Sequence, residues 1–136
     1  TGHEFGTVTG RPRRCGWLDA FMVKYAARLN SMDAQAITRL DILDGLDEIK
    51  MCTGWTIDGE PIQHIPADLS ILAKAQPVYE TFKGWKKDIS GVRSYGDLPK
   101  EAQAYLARLS EVVGVEIGIV SVGPNRDQTF CLKEFF

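Results

Sequence analysis

The chain is expected to fold as an α/β layer structure, a partly parallel sheet with flanking helices and one β-hairpin excursion. Stretches with a helical repeat alternate with short β-branched runs, which is the pattern of strands packed beneath helices. An Asp58-Gly59 pair between two strand-like runs marks the hairpin. The composition, 44% hydrophobic and 25% charged over 136 residues, is that of one globular domain spanning residues 1–136, with a core of its own.

The elements follow in chain order. Trp17, Leu18, Phe21, Met22, Tyr25, Ala26 and Leu29 recur at helical spacing, with Asp19, Lys24 and Arg28 on the opposite side. A helix is therefore predicted to begin at Trp17-Leu18-Asp19, with its aromatic stripe packed in the core. Ala36 to Asp41 reads as a short strand ending on a carboxylate, and Glu48 to Ile57 as a longer one turning through Asp58-Gly59-Glu60 into Ile62. Pro66 to Ala75 fits a short helix with Pro66 in its first turn. Pro77 to Phe82 is strand-like, and Lys83 to Asp97 reads as loop. From Pro99, the positions Ala102, Tyr105, Leu106, Leu109, Val112 and Val113 define a second amphipathic helix closed by Gly114. Val115 to Val120 reads as a buried strand reaching Ser121-Val122-Gly123, and Thr129 to Lys133 as a final strand. Ligands of such sheets gather outside the carboxyl ends of strands, where Asp41 and Ser121-Val122-Gly123 are expected to sit.

Charge and cysteine usage narrow the function classes. A formal net charge of −2 and a pI near 5.7 argue against a general nucleic-acid binder, which needs a broad basic surface. Cys15, Cys52 and Cys131 are widely spaced and form no CxxC pair, so neither a disulfide framework nor a zinc site is indicated, and a reducing cytosol is expected. No apolar run approaches the length of a bilayer span, so no membrane association is expected. His3 and His64 have no nearby nucleophile or second ligand and read as packed or solvated side chains.

The basic residues are instead concentrated locally. Gly6-Thr7-Val8-Thr9-Gly10-Arg11-Pro12-Arg13-Arg14-Cys15-Gly16 places three guanidiniums within four residues on a glycine- and proline-punctuated backbone. Glycines permit close approach of main-chain N–H groups, Pro12 limits the unbound conformers, and a planar guanidinium grips carboxylate or phosphate through two hydrogen bonds. A helix starting at Trp17 would add the positive end of its dipole. On the residues alone, this loop suits a small anionic ligand, a non-catalytic anion- or nucleotide-binding module, or a surface that docks an acidic partner.

The stretch Thr7-Val8-Thr9-Gly10-Arg11-Pro12-Arg13-Arg14-Cys15-Gly16-Trp17-Leu18-Asp19 resembles the substrate loop of the adenylosuccinate synthetases, which join IMP and L-aspartate using GTP. Two further segments match in order and approximate spacing: Thr38 to Leu46, and Ile119 to Asp127. The resemblance runs over essentially the whole chain and implies the C-terminal portion of that larger, P-loop-NTPase-like enzyme. It assigns Thr7, Val8, Thr9, Gly10, Arg11, Pro12 and Arg13 to aspartate and IMP, with Arg13 also on the GTP side. It assigns Arg39, Leu40, Asp41, Ser121, Val122 and Gly123 to GTP. Asp41 would accept both adjacent donors of guanine, N1–H and the exocyclic amine, which adenine cannot offer. Arg39 stands where the family usually has lysine, and Val122 and Val8 where it commonly has threonine. The resemblance further implies Mg²⁺ in the full-length enzyme, a homodimer, and a cytoplasmic location. The phosphate loop, the Mg²⁺ ligands and the catalytic Asp/His pair would lie outside this chain, so no catalytic or metal-binding residue is assigned here and the chain alone is expected to be inactive.

Overall fold

The computed structural model describes Gly2 and residues 4–134; His3 lies outside the described residues. Two mixed sheets share one hydrophobic core. In chain order the elements are β1 (Leu18–Asp19), α1 (Ala20–Asn30), β2 (Gln35–Ile37), β3 (Glu48–Ile57), β4 (Glu60–Pro61), α2 (Leu69–Leu72), β5 (Gln76–Lys83), α3 (Lys100–Val113), β6 (Ile117–Ser121) and β7 (Thr129–Cys131). The first sheet is built on β3, which pairs parallel with β1 and antiparallel with β4 and β5. The second is β2-β6-β7, parallel then antiparallel. This is the expected α/β layering, divided between two sheets.

The turn chemistry explains the hairpin. Asp58 and Gly59 both adopt positive φ, 51° and 86°, and so bring Glu60 opposite Ile57. Helix α3 begins after Pro99 and ends on Gly114 at φ 77°, which donates its N–H to Ser110. Its predicted apolar face is the observed one: Ala102, Tyr105, Leu106, Leu109 and Val113 are buried. The Tyr105 ring meets Phe82 edge-on at 5.4 Å, and burial pushes its hydroxyl up to about 12.

Several expectations are corrected. Trp17-Leu18-Asp19 is not the first turn of a helix, because Leu18 and Asp19 pair with Met51 and Cys52 as a strand. Asp19 then caps α1, accepting from Met22 N at 3.0 Å, so the helix end carries its own carboxylate and is not open to an anion. The aromatic stripe is not core either. Helix α1 packs on β3 and α3 through the small, buried Ala20 and Ala27, which leaves Met22, Tyr25 and Leu29 exposed. The strand expected to end on Asp41 stops at Ile37, and Asp41 lies in a 3-10 turn from Leu40 to Leu43. Helix α2 starts at Leu69 and is capped by Asp68, so Pro66 precedes it instead of lying in its first turn. The stretch after Lys83 is loop as expected, but an anchored one, with Trp85 and Ile89 buried and a 3-10 turn at Tyr95–Asp97.

The three cysteines are free thiols, and burial raises Cys52 above its ordinary value. His64 is exposed. Among the described residues no helix is long and apolar enough to cross a membrane.

Candidate functional site

Parallel pairing of β2 with β6 sets Ile37 beside Val120, so the chain leaves both strands at the same edge. Beyond that edge, Arg39 N lies 3.5 Å from Ser121 Oγ, and the Ser121 hydroxyl donates to the Gly123 carbonyl at 2.8 Å. Two of the sequence-predicted segments, 82 residues apart, are thus neighbours. Arg39 takes a left-handed conformation, φ 56°, which is uncommon for a residue with a Cβ and is held here by its surroundings. The bend returns its side chain onto Asp41, where Nε and Nη2 each reach a different carboxylate oxygen at 2.9 Å. Hydrogen bonding to Asp41 raises the Arg39 pKa, opposed by burial and assisted by the charges of Asp41 and Glu4.

The turn that follows is fixed from below. Asp44 closes it and accepts from Trp85 Nε1 at 2.7 Å and from Ile89 N at 3.0 Å. Burial raises the Asp44 pKa, and these two donors oppose the shift. Gly84 donates to Asp47 at 2.8 Å, and a Cβ added there would overlap the Leu46 carbonyl. On the other side, Gln128 organises the Ser121–Gly123 turn. Its carbonyl accepts from Val122 N at 2.9 Å, its Oε1 from Asn125 N at 3.1 Å, and its Nε2 donates to Ser90 O at 3.1 Å. The Val122 side chain is fully buried, so a hydroxyl at that position would face the core. With Val122 N engaged, Gly123 N–H is the main-chain donor of the triplet with no partner among the described residues.

The arginine loop is a hairpin of its own. Phe5 bridges Pro12, Gly6 N donates to Arg11 O at 2.8 Å, Gly10 N to Gly6 O at 2.8 Å, and Arg13 N to Glu4 O at 2.8 Å. Gly10 takes φ 64° beside the Thr7–Thr9 turn, and Val8 at its tip is 97% exposed. Thr9 Oγ1 accepts from Arg11 N at 3.4 Å. Arg13 pairs with Glu4 at 3.3 Å, whereas Arg11 and Arg14 are exposed without an ion pair among the described residues.

Glu4, which sequence reading passed over, acts on both groups: it holds Arg13 and its charge reaches Arg39. Gly16 and Trp17, at the exit of the hairpin, share a cavity of about 370 Å³ with Thr38, Leu40 and Ile42. The structure therefore brings Arg39, Asp41 and Ser121 together and sets Arg13 nearby through Glu4. The signals for the buttress were a tryptophan in a glycine-rich stretch, which needs an acceptor when buried, and a lone Asp44-Gly45. Among the described residues no group of three or more His, Cys, Asp or Glu is placed to hold a metal ion.

Comparison with known proteins shows the family. The chain is 50% identical over all of its length to adenylosuccinate synthetase of Geobacter metallireducens, of which it covers 32%. It is 55% identical over 99% of its length to that of Brachyspira hyodysenteriae, again covering 32%. The structure of fully ligated adenylosuccinate synthetase from Plasmodium falciparum superposes with a TM-score of 0.92 at 40% identity, over 97% of this chain and 32% of that one. The chain thus spans about a third of the length of these relatives. The adenylosuccinate synthetase family model matches residues 1–130, and the chain belongs to that family.

Proposed function

We propose that the chain is the C-terminal part of an adenylosuccinate synthetase, a single domain that supplies substrate clamps and base recognition to a GTP-dependent ligation of IMP and L-aspartate. The observation that carries this reading is the meeting of Arg39 and Ser121 at the shared ends of β2 and β6. There, Asp41 supplies two acceptors for the N1–H and amino donors of guanine, and Gly123 N–H supplies a donor for its O6. Leu40 and Val122 are buried beneath the turns and hold them in place. The hairpin from Thr7 to Arg13 wraps the amino acid and the IMP, with Arg11 offering a free fork and Arg13 reaching toward the phosphates of GTP.

These groups bind and orient; no proton-transfer group or nucleophile is assigned to this chain. The Mg²⁺ that the family uses would be held by residues outside this chain and by the nucleotide phosphates. The 136 residues alone then bind without turnover, and in the full-length enzyme the assembly works as a homodimer in the cytoplasm. Calorimetric titration with GDP and ADP tests the reading. GDP is expected to bind more tightly, and Asp41→Asn to remove that preference. Equal weak binding of both, unaffected by Asp41→Asn, would mark a general anion-binding module instead.

A further inference from the structure

The acceptor pair of Asp41 is already taken within the chain. The side edge of the Arg39 guanidinium presents two parallel N–H donors, Nε–H and one Nη2–H, to the two carboxylate oxygens at 2.9 Å each. Guanine would present the same arrangement, two adjacent N–H groups on a planar, delocalised edge. The two donor edges cannot occupy one carboxylate together. We infer that Arg39 is a built-in mimic of the base, a latch that fills the guanine seat on Asp41 and must swing away before a nucleotide base is read. This inference rests on the assignment of Asp41 as the base acceptor.

Three features support a latch over an incidental surface pair. The contact is bidentate, it is made by residues two apart across a left-handed bend, and the Asp41 side chain is only 15% exposed. The pairing therefore needs no reorganisation of the fold to form. A lysine in place of Arg39 would carry a single ammonium and could not imitate the two-donor edge.

A latch lowers the apparent affinity of any ligand that needs Asp41 by the fraction of molecules that are open. Arg39→Met keeps an unbranched stem to cover a base and removes every donor. In calorimetry on the full chain it is expected to bind GDP about two- to fivefold more tightly than the parent, the range for a partly exposed pair, with ADP unchanged. Nitrogen-15 NMR of the unsubstituted protein gives a readout independent of any variant. The Arg39 Nε–H is expected to exchange slowly without ligand and to lose that protection when GDP is added. Equal or weaker GDP binding by Arg39→Met, while Asp41→Asn still abolishes it, overturns the latch alone. So does an Arg39 Nε–H that exchanges like an exposed arginine. GDP affinity untouched by Asp41→Asn, or no binding in any variant, overturns the base reading and the latch with it.

Discussion

The arginine hairpin and the Arg39–Asp41 turn are both candidates for gripping charge, yet they are supported in contrary ways. The hairpin hangs on a few main-chain hydrogen bonds, its tip is solvent-exposed, and its one side-chain tie, Arg13 to Glu4, is an exposed pair. Such pairs contribute about 0–1 kcal/mol, so the loop can reshape at little cost. The turn instead stands on buried Leu40, Trp85 and Ile89, with both Asp44 oxygens engaged from below. A site that must discriminate one base from another gains from prepaid rigidity, whereas one that must enclose two small substrates gains from a segment that closes after they arrive. Under the proposed function, the difference between the two regions is a division between recognition and enclosure.

The sharpest way to break the contrast is to damage the foundation of the turn. Gly84→Ala forces a Cβ into the Leu46 carbonyl, and a main-chain group cannot step aside as a flexible side chain can. A loss of at least about 3 kcal/mol in urea unfolding is expected, the range for overpacking against backbone. Loss of GDP binding should accompany it in whatever folded fraction remains, because the displaced segment leads directly back to Asp44 and Asp41. A variant of parental stability would mean that the turn is not supported from this side.

Asp44→Asn is a smaller change at the same place. One oxygen still accepts from Trp85 Nε1, but the amide nitrogen would face Ile89 N–H, donor against donor. The expected loss is about 1–3 kcal/mol near neutral pH. The pH dependence has a definite sign. Burial holds the Asp44 pKa above its ordinary value, so the folded state keeps its proton to higher pH than the unfolded state does. Its contribution is full below the unfolded value and is lost as pH rises through the folded value. The gap in stability between the parent and Asp44→Asn, measured by urea midpoints, should widen as pH falls from neutral into the carboxylate range. A gap that narrows on acidification would show that the two donors, not burial, dominate Asp44.

How much of this was legible beforehand follows the range of the interactions. Helix α3 was readable because its apolar repeat, Gly114 and Pro99 are all local signals, and the Asp58-Gly59 turn was readable for the same reason. Helix α1 was misread because its repeat recorded large apolar side chains, while its buried residues are Ala20 and Ala27 and Met22, Tyr25 and Leu29 are left exposed. Of the site, the residue types in the three motifs could be found by eye. The meeting of the second and third could not, since it depends on β2 pairing with β6, with Ala36 opposite Ile119 and Ile37 opposite Val120 far along the chain. The Arg39–Asp41 contact was equally hidden, because a left-handed arginine is nowhere written in composition or period. Glu4 carries no signal of its own in the sequence; only the folded hairpin sets it beside Arg13.

The smallest effect on stability, and the one that sharpens the contrast most, is expected for Arg11→Ala. The Arg11 guanidinium is exposed and has no ion pair among the described residues, while its main-chain carbonyl, which the substitution keeps, is what accepts from Gly6 N. Unfolding should therefore shift by no more than about 0.5 kcal/mol. If the hairpin encloses substrate, that same side chain supplies a charge-assisted fork in the closed state, and IMP affinity should fall roughly tenfold or more. Arg11→Lys should recover only part of the loss, since an ammonium keeps the charge without the planar pair of donors. Arg14→Ala, by contrast, should leave both quantities near the parental values. A residue that moves binding without moving stability is spare in the free chain and committed only in the bound one, the reverse of Asp44. Should Arg11→Ala instead unfold the chain as readily as Asp44→Asn does, the hairpin would be part of the scaffold and the division between recognition and enclosure would fall.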